Sequence, residues 1–163
     1  MLDVESATRL RSVVVRVARR LNASATSEGL TPTQASVLGL ISGRGPLGHR
    51  QLAEMEGLNP TMLSRTIGAL SSAGFILREP DPADQRAQLV RVTAEGARVH
   101  ERIKSSRARQ VSDATTTLSD AQVETLLNAL PVLEMVADLL NHPASGLAQH
   151  QRRVSVDPVP PRA

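Results

Sequence analysis

Residues 59–93 read NPTMLSRTIGALSSAGFILREPDPADQRAQLVRVT, and this stretch decides the fold. Asn59 followed by Pro60 announces a helix, a strong N-cap type before the residue best suited to the first helical position. That helix is expected to run to about Ser72, with Gly74 ending it. Leu63, Ile67 and Leu70 stand at i, i+4 and i+7, which places them on one face as the buried stripe. Thr61, Ser64, Arg65 and Gly68 share a second face, small and polar with a single arginine. FILREP (75–80) and AQLVRVT (87–93) are the only segments with clear strand character, and the turn-rich PDPAD between them makes a hairpin the economical reading.

Upstream, GHRQLAEMEGL (48–58) reads as a short helix with Leu52, Ala53 and Met55 apolar, closed by Gly57. Two helices around a tight glycine turn form a helix-turn-helix unit whose second helix can enter a major groove. Its polar face has two readings. It is the solvated side of an amphipathic helix, or it is a face built to approach DNA. The composition suits the second, because a solvated face usually carries several Lys or Glu. Arg65 can bond bidentately to guanine, with Thr61 and Ser64 reaching bases or phosphates.

A two-stranded wing directly after such a helix is a winged-helix arrangement, with Arg86 at the wing tip. A narrow minor groove attracts an inserted guanidinium without needing a unique base code. Asp84 can accept backbone N–H bonds in the turn and hold Arg86; a plain turn former is its alternative role. His49, Arg50 and Arg91 can reach phosphates and are equally consistent with exposed polar groups.

Elsewhere, Leu10, Val13, Val14, Val17 and Leu21 give an amphipathic first helix ending near Asn22. ASATSEGL (23–30) is a loop by composition. Thr31, Pro32 and Gln34 form a capping box for a helix through Ala35, Val37, Leu38 and Ile41, which SGRGP stops. Thr93 is expected to cap a long helix from Ala94 to about Thr117, and Ser119 with Gln122 to cap the last. In that last helix Val123, Leu126, Leu127, Leu130, Leu133, Val136, Leu139 and Leu140 form a broad apolar face. Pro131 is expected to kink or split it. Residues 143–163 have the composition of a flexible tail.

Composition narrows the function. At 163 residues one domain is expected, able to bury roughly 70% of its unfolded surface. The chain has no Cys, hence no disulfide, thiolate metal site or thiol redox switch. No apolar run approaches the ~18 residues of a membrane span, and the N-terminus is too charged for a secretory signal, so a cytoplasmic address is expected. Lys104 is the only lysine among 19 basic residues. That arginine bias suits nucleic acid, and suits a GC-rich genome equally. With one Phe and no Trp or Tyr, base-stacking platforms are disfavoured, so double-stranded DNA is the better partner. The four histidines are scattered, which gives no metal site. No glycine-rich phosphate loop or nucleophile and base set marks an enzyme, and no cofactor is expected.

In this order of helices, recognition helix and wing, the chain resembles the MarR (multiple antibiotic resistance regulator) family of winged helix-turn-helix transcriptional regulators. Asp84, Arg86, Val90, Val92, Thr93 and Gly96 match the family's wing pattern, with Leu52, Ala53, Leu70, Gly74 and Phe75 before it. The likeness covers residues 5 to 141. It implies a mainly α fold with a small β-hairpin wing, in a single domain over 1–142. Dimerisation helices at about 3–22 and 94–142 would flank a winged helix-turn-helix at 31–93. It also implies a homodimer acting on a palindromic operator, repression being the commoner habit of the family. Many relatives are released by a small aromatic or phenolic effector; here no Tyr or Trp is present to stack on one. The rival reading is a winged-helix dimer turned protein-binding adaptor, whose mark would be loss of the polar groups at Thr61, Ser64, Arg65 and Arg86.

Overall fold

Side-chain caps mark where the helices begin. In the computed structural model, which describes residues 1–84 and 87–141, the Asp3 carboxylate accepts from the Ser6 N–H at 2.7 Å and opens α1 (Val4–Leu21). After a short α2 (Ala23–Ser27), Thr31 and Gln34 form the expected reciprocal box, at 2.8 and 3.2 Å, at the head of α3 (Pro32–Arg44). A two-residue strand β1 (Leu47–Gly48) leads into α4 (His49–Glu56), which ends on Gly57 in the left-handed conformation at φ 62°. The Asn59 side chain accepts from the Met62 N–H at 2.8 Å and starts α5 (Pro60–Ser72). Strands β2 (Ile76–Pro80) and β3 (Gln88–Val92) follow, then α6 (Ala94–Thr115) and α7 (Asp120–Asn141).

The sheet is antiparallel with order β1-β3-β2. Its register pairs Ile76 with Val92 and Arg78 with Val90 in the hairpin, and Leu47 with Val90 on the other side of β3. Ile76 and Val90 point inward and join Val37, Leu38 and Ile41 of α3, Leu52 of α4, Leu63, Ile67 and Leu70 of α5, and Val99 and Ile103 of α6. The stripe expected on α5 is therefore the floor of the core.

A tight junction holds α6 against the end of α5. The Thr93 N–H donates to the Phe75 carbonyl at 3.0 Å, and the Thr93 hydroxyl donates to the Gly74 carbonyl at 2.8 Å while accepting from the Gly96 N–H at 3.0 Å. Gly74 takes φ 76°, a turn conformation that glycine adopts without strain. A Cβ placed on Gly96 would overlap the Phe75 carbonyl.

Three sequence expectations need correction. ASATSEGL is not all loop: Ala23–Ser27 is helical, because Ser24 is buried and its Oγ accepts from Gln110 Nε2 of α6 at 2.6 Å. The hairpin strands are not the only ones, since Leu47–Gly48 adds a third. Pro131 does not split the last helix, which runs unbroken from Asp120 to Asn141. The helix formers on both sides, LLNAL and VLEMVADLL, restore the hydrogen-bond ladder after the one donor that proline lacks. The expected tail, 143–163, lies outside the described residues.

Met1–Ala114 forms one compact unit, and α7 belongs to a second. None of the described side chains of α7 is buried. Among the described residues, no helix is long and apolar enough to cross a membrane.

Two stability tests follow from the packing. Gly96→Ala is expected to cost about 2–3 kcal/mol, because the overlap is with backbone and cannot be relieved by a rotamer change; urea denaturation measures it. His100 packs its ring against Gly39, and burial, opposed by Glu101 and aided by Lys104 and Arg107, holds its pKa below 6.5. The folded state thus binds its proton less readily than the unfolded chain. Its contribution is full above pH 6.5 and declines as pH falls below that value toward the folded pKa. His100→Gln is expected to flatten that part of the stability profile, as melting temperatures from pH 7.5 to 5 would record.

Candidate nucleic-acid interface

The exposed side of α5 is assembled by its own buried side. With Leu63, Ile67 and Leu70 no more than 1% exposed, Thr61, Ser64 and Arg65 are turned to solvent and Gly68 is half-buried beside them. The four therefore share the face expected from their spacing. Arg65 forms no ion pair among the described residues, whereas Arg50, Arg91, Arg98 and Arg102 do.

The other candidates are less uniform. Arg50 is fully exposed and bonds Glu54 one turn along α4 at 3.0 Å, a pair that surface solvation makes weak and easily exchanged for phosphate. His49 begins α4 half-buried, and burial, then the nearby charge of Arg78, keeps its pKa below the ordinary value. It is an uncharged imidazole at neutral pH, able to donate one hydrogen bond but carrying no cation. Arg91 follows inward-facing Val90, so it points to the outer face of the sheet, where Glu79 accepts from its Nε and Nη2 at 3.1 and 3.0 Å.

At the hairpin end, the Ala87 N–H donates to the Asp84 carbonyl at 2.8 Å and the Asp81 N–H to the Ala87 carbonyl at 3.0 Å. The Asp81 carboxylate accepts from the Ala83 N–H at 2.8 Å, an Asx turn within PDPAD. Gln85 and Arg86, the latter expected at the wing tip, lie outside the described residues.

One cation escaped the sequence reading. Arg78 is exposed on β2, forms no ion pair among the described residues, and stands close enough to His49 to bear on its titration. Alternation along FILREP carries the signal, since Arg78 is two residues beyond inward-facing Ile76 and so shares its side of the strand. Among the described residues no cluster of His, Asp or Glu has the geometry of a metal site.

Comparison with known proteins agrees with this architecture. Residues 30–87 match the model of the MarR family. An uncharacterized HTH-type transcriptional regulator of Mycobacterium leprae is 30% identical over 135 residues, spanning 82% of this chain and 94% of the relative. A transcriptional regulator from Thermotoga maritima superposes with a TM-score of 0.68 at 25% identity, over 83% of this chain and 96% of the other. A Staphylococcus aureus MepR variant, solved bound to an oligodeoxyribonucleotide, shares the fold at a TM-score of 0.61 and 18% identity, over 82% and 97% of the two chains. With its helix-turn-helix, its three-stranded wing sheet and these relatives, the chain belongs to the MarR family of DNA-binding transcriptional regulators.

Proposed function

We propose that the chain acts as a homodimeric repressor that binds a palindromic operator in double-stranded DNA. The observation that carries the reading is Arg65, without an ion-pair partner among the described residues, on an exposed face of short polar residues of a helix whose opposite side is the core. Arg65 bonds guanine O6 and N7 in the major groove, and Thr61 and Ser64 contact the adjoining bases or phosphates. Gly68 lets the helix backbone come close. Arg86, steadied by Asp84, enters the neighbouring minor groove, and Arg50, His49 and Arg91 bond phosphates. The MepR variant solved bound to an oligodeoxyribonucleotide is a precedent for this fold meeting DNA.

Pairing of two chains is supported by apolar surface that one chain leaves open. Helix α1 has no buried residue, and Val13, Val14 and Val17 are 40–53% exposed. On α7, Leu127, Val132, Met135 and Leu140 are 57–78% exposed. Side chains of this kind stabilise by ~1.5–3 kcal/mol each when buried, enough in number to offset the cost of association. Release by a small aromatic or phenolic acid would use an open groove of about 540 Å³, lined by Ser24, Glu28, Arg102, Ser106 and Arg109 among others. Arg98 and Arg102 there already face Glu95 and Glu28, so Arg109 is the arginine that would take a carboxylate, and no aromatic residue lines the groove for stacking. An adaptor role without operator recognition is not favoured, because Thr61, Ser64 and Arg65 remain polar and exposed.

Recovery of genomic DNA bound by the purified protein tests the reading directly. The expected product is an inverted repeat with half-sites about 10 base pairs apart, centre to centre; recovery without a common site would overturn it. On that operator, Arg65→Ala is expected to cost ~1–3 kcal/mol and to relax preference at one base pair. Arg86→Ala should weaken binding to all sequences and reduce the salt slope by about one unit. Fluorescence anisotropy against salt distinguishes the two. Light scattering should give about twice the 17.4 kDa chain mass, falling to one chain in Leu130→Glu/Leu133→Glu.

A further inference from the structure

Helix α5 does not present a uniform surface to solvent. At about 100° per residue, Thr61, Arg65 and Gly68 occupy the middle of the outward face. Ser64 and Ser71 border it on one side and Met62 and Ala69 on the other. The Met62 side is apolar and open: Met62 is 51% exposed while its neighbour Leu63 is 1% exposed. Both backbone groups of Met62 are already engaged. Its N–H donates to the Asn59 side chain at 2.8 Å and its carbonyl accepts from the Thr66 hydroxyl at 3.0 Å. What Met62 offers a partner is therefore its thioether side chain alone, on a backbone fixed from both ends.

The major groove contains one apolar feature on a base edge, the 5-methyl group of thymine. Recognition helices place their N-terminal residues against base edges, and Met62 is the third residue of α5. Arg65 lies three positions on, at the spacing that makes helix side chains neighbours. An unbranched, polarizable side chain also adapts to a methyl group without demanding one rigid geometry. We propose that Met62 is a specificity-determining residue that reads the 5-methyl group of a thymine adjacent to the guanine bound by Arg65. This rests on α5 being the recognition helix of the proposed repressor. The half-site then carries a guanine and a thymine read by neighbouring side chains, with the Ala69 methyl on the same border about two turns further on.

Deoxyuridine substitution tests it, because it removes the methyl group and leaves every hydrogen-bonding edge intact. Each thymine of the recovered operator is replaced in turn, in both half-sites, and binding is measured for wild type, Met62→Ala, Met62→Gln and Arg65→Ala. For wild type, one position should lose affinity about three- to fivefold per half-site, the factor expected for withdrawing one methyl group from an apolar contact. Met62→Ala should bind the thymine operator more weakly by a similar factor and show no further loss with deoxyuridine. Met62→Gln, of nearly the same length but with a polar end, should behave likewise, which separates loss of apolar contact from loss of bulk. Unchanged melting temperatures in both variants are expected at this exposed position.

Two results overturn the assignment while leaving the recognition helix in place: no sensitive thymine in wild type, or a sensitive thymine whose effect persists undiminished in Met62→Ala and Met62→Gln. Unaltered operator binding by Arg65→Ala would instead remove the reading of α5 on which the assignment stands.

Discussion

The Thr93 hydroxyl, donating to the Gly74 carbonyl while accepting from the Gly96 N–H, ties together three elements that share no continuous hydrogen-bond ladder. It closes the end of α5, anchors the last residue of the β3 strand region and caps α6. The Thr93 N–H on the Phe75 carbonyl adds a second strut at the same place, and Gly96 keeps the approach free of a side chain. Each bond is worth on the order of 1 kcal/mol net, but their geometric effect is larger than that sum. They bring the end of α5, the return of the hairpin and the start of α6 to one point. Helix α6 therefore starts from the same point that orients the candidate DNA-binding face.

Two parts of this junction were legible in the sequence: Thr93 before a helical run and Gly74 after an apolar stripe are positions where a residue type follows from backbone requirements. The same holds for the Asn59–Pro60 start and the Thr31–Gln34 box. Gly96 stood in the sequence only as a match to the family's wing pattern, and the bond that joins Thr93 to Gly74 across 19 residues is one that local spacing does not encode. The face of α5 was legible for a related reason, since periodicity alone decides which residues share a side. Elements settled by distant partners were not. Ala23–Ser27 reads as a loop until Gln110, 86 residues away, supplies a donor to the buried Ser24 hydroxyl. Leu47–Gly48 is too short to show alternation, and only its pairing with β3 makes it a strand. Pro131 was weighed by its own cost and not against the helix formers on either side. Alternation gave the side of the strand on which Arg78 stands, but its closeness to His49 is a relation between strand and helix that spacing does not encode.

The arginines sort by what faces them, and this sorting separates scaffold from interface. Arg102 is held by Glu28 through three hydrogen bonds of 2.8–3.1 Å, joining α6 to the segment after α2, and the contact holds the Glu28 carboxyl below its usual range. Arg107 reaches the Leu21 carbonyl and the Asn22 side chain from the same helix. These cations are engaged within the fold, and exposed pairs of this kind add little stability individually; their value lies in register between helices. Arg65 and Arg78 lack such partners among the described residues, and neither lies on α6. The composition counts all of these residues equally as an arginine bias. Only their surroundings distinguish the ones that brace the helices from the ones left available to a polyanion.

The division has a consequence for how the chain discriminates among DNA sequences. In the proposed complex, the phosphate-facing arginines and the wing-tip contact supply affinity through phosphate and groove potential, which every duplex offers. Discrimination must then come from the few side chains that meet base edges, and α5 presents few: one guanidinium, short hydroxyls and one thioether. A guanidinium distinguishes guanine by paired hydrogen bonds, while hydroxyls tolerate several bases as donor or acceptor. An apolar group is the complement of that set, since it favours a methyl-bearing edge and leaves polar edges without a partner. A face with both kinds of group specifies two neighbouring positions with two side chains, which is why Met62 matters to specificity more than its small contribution to overall binding would suggest.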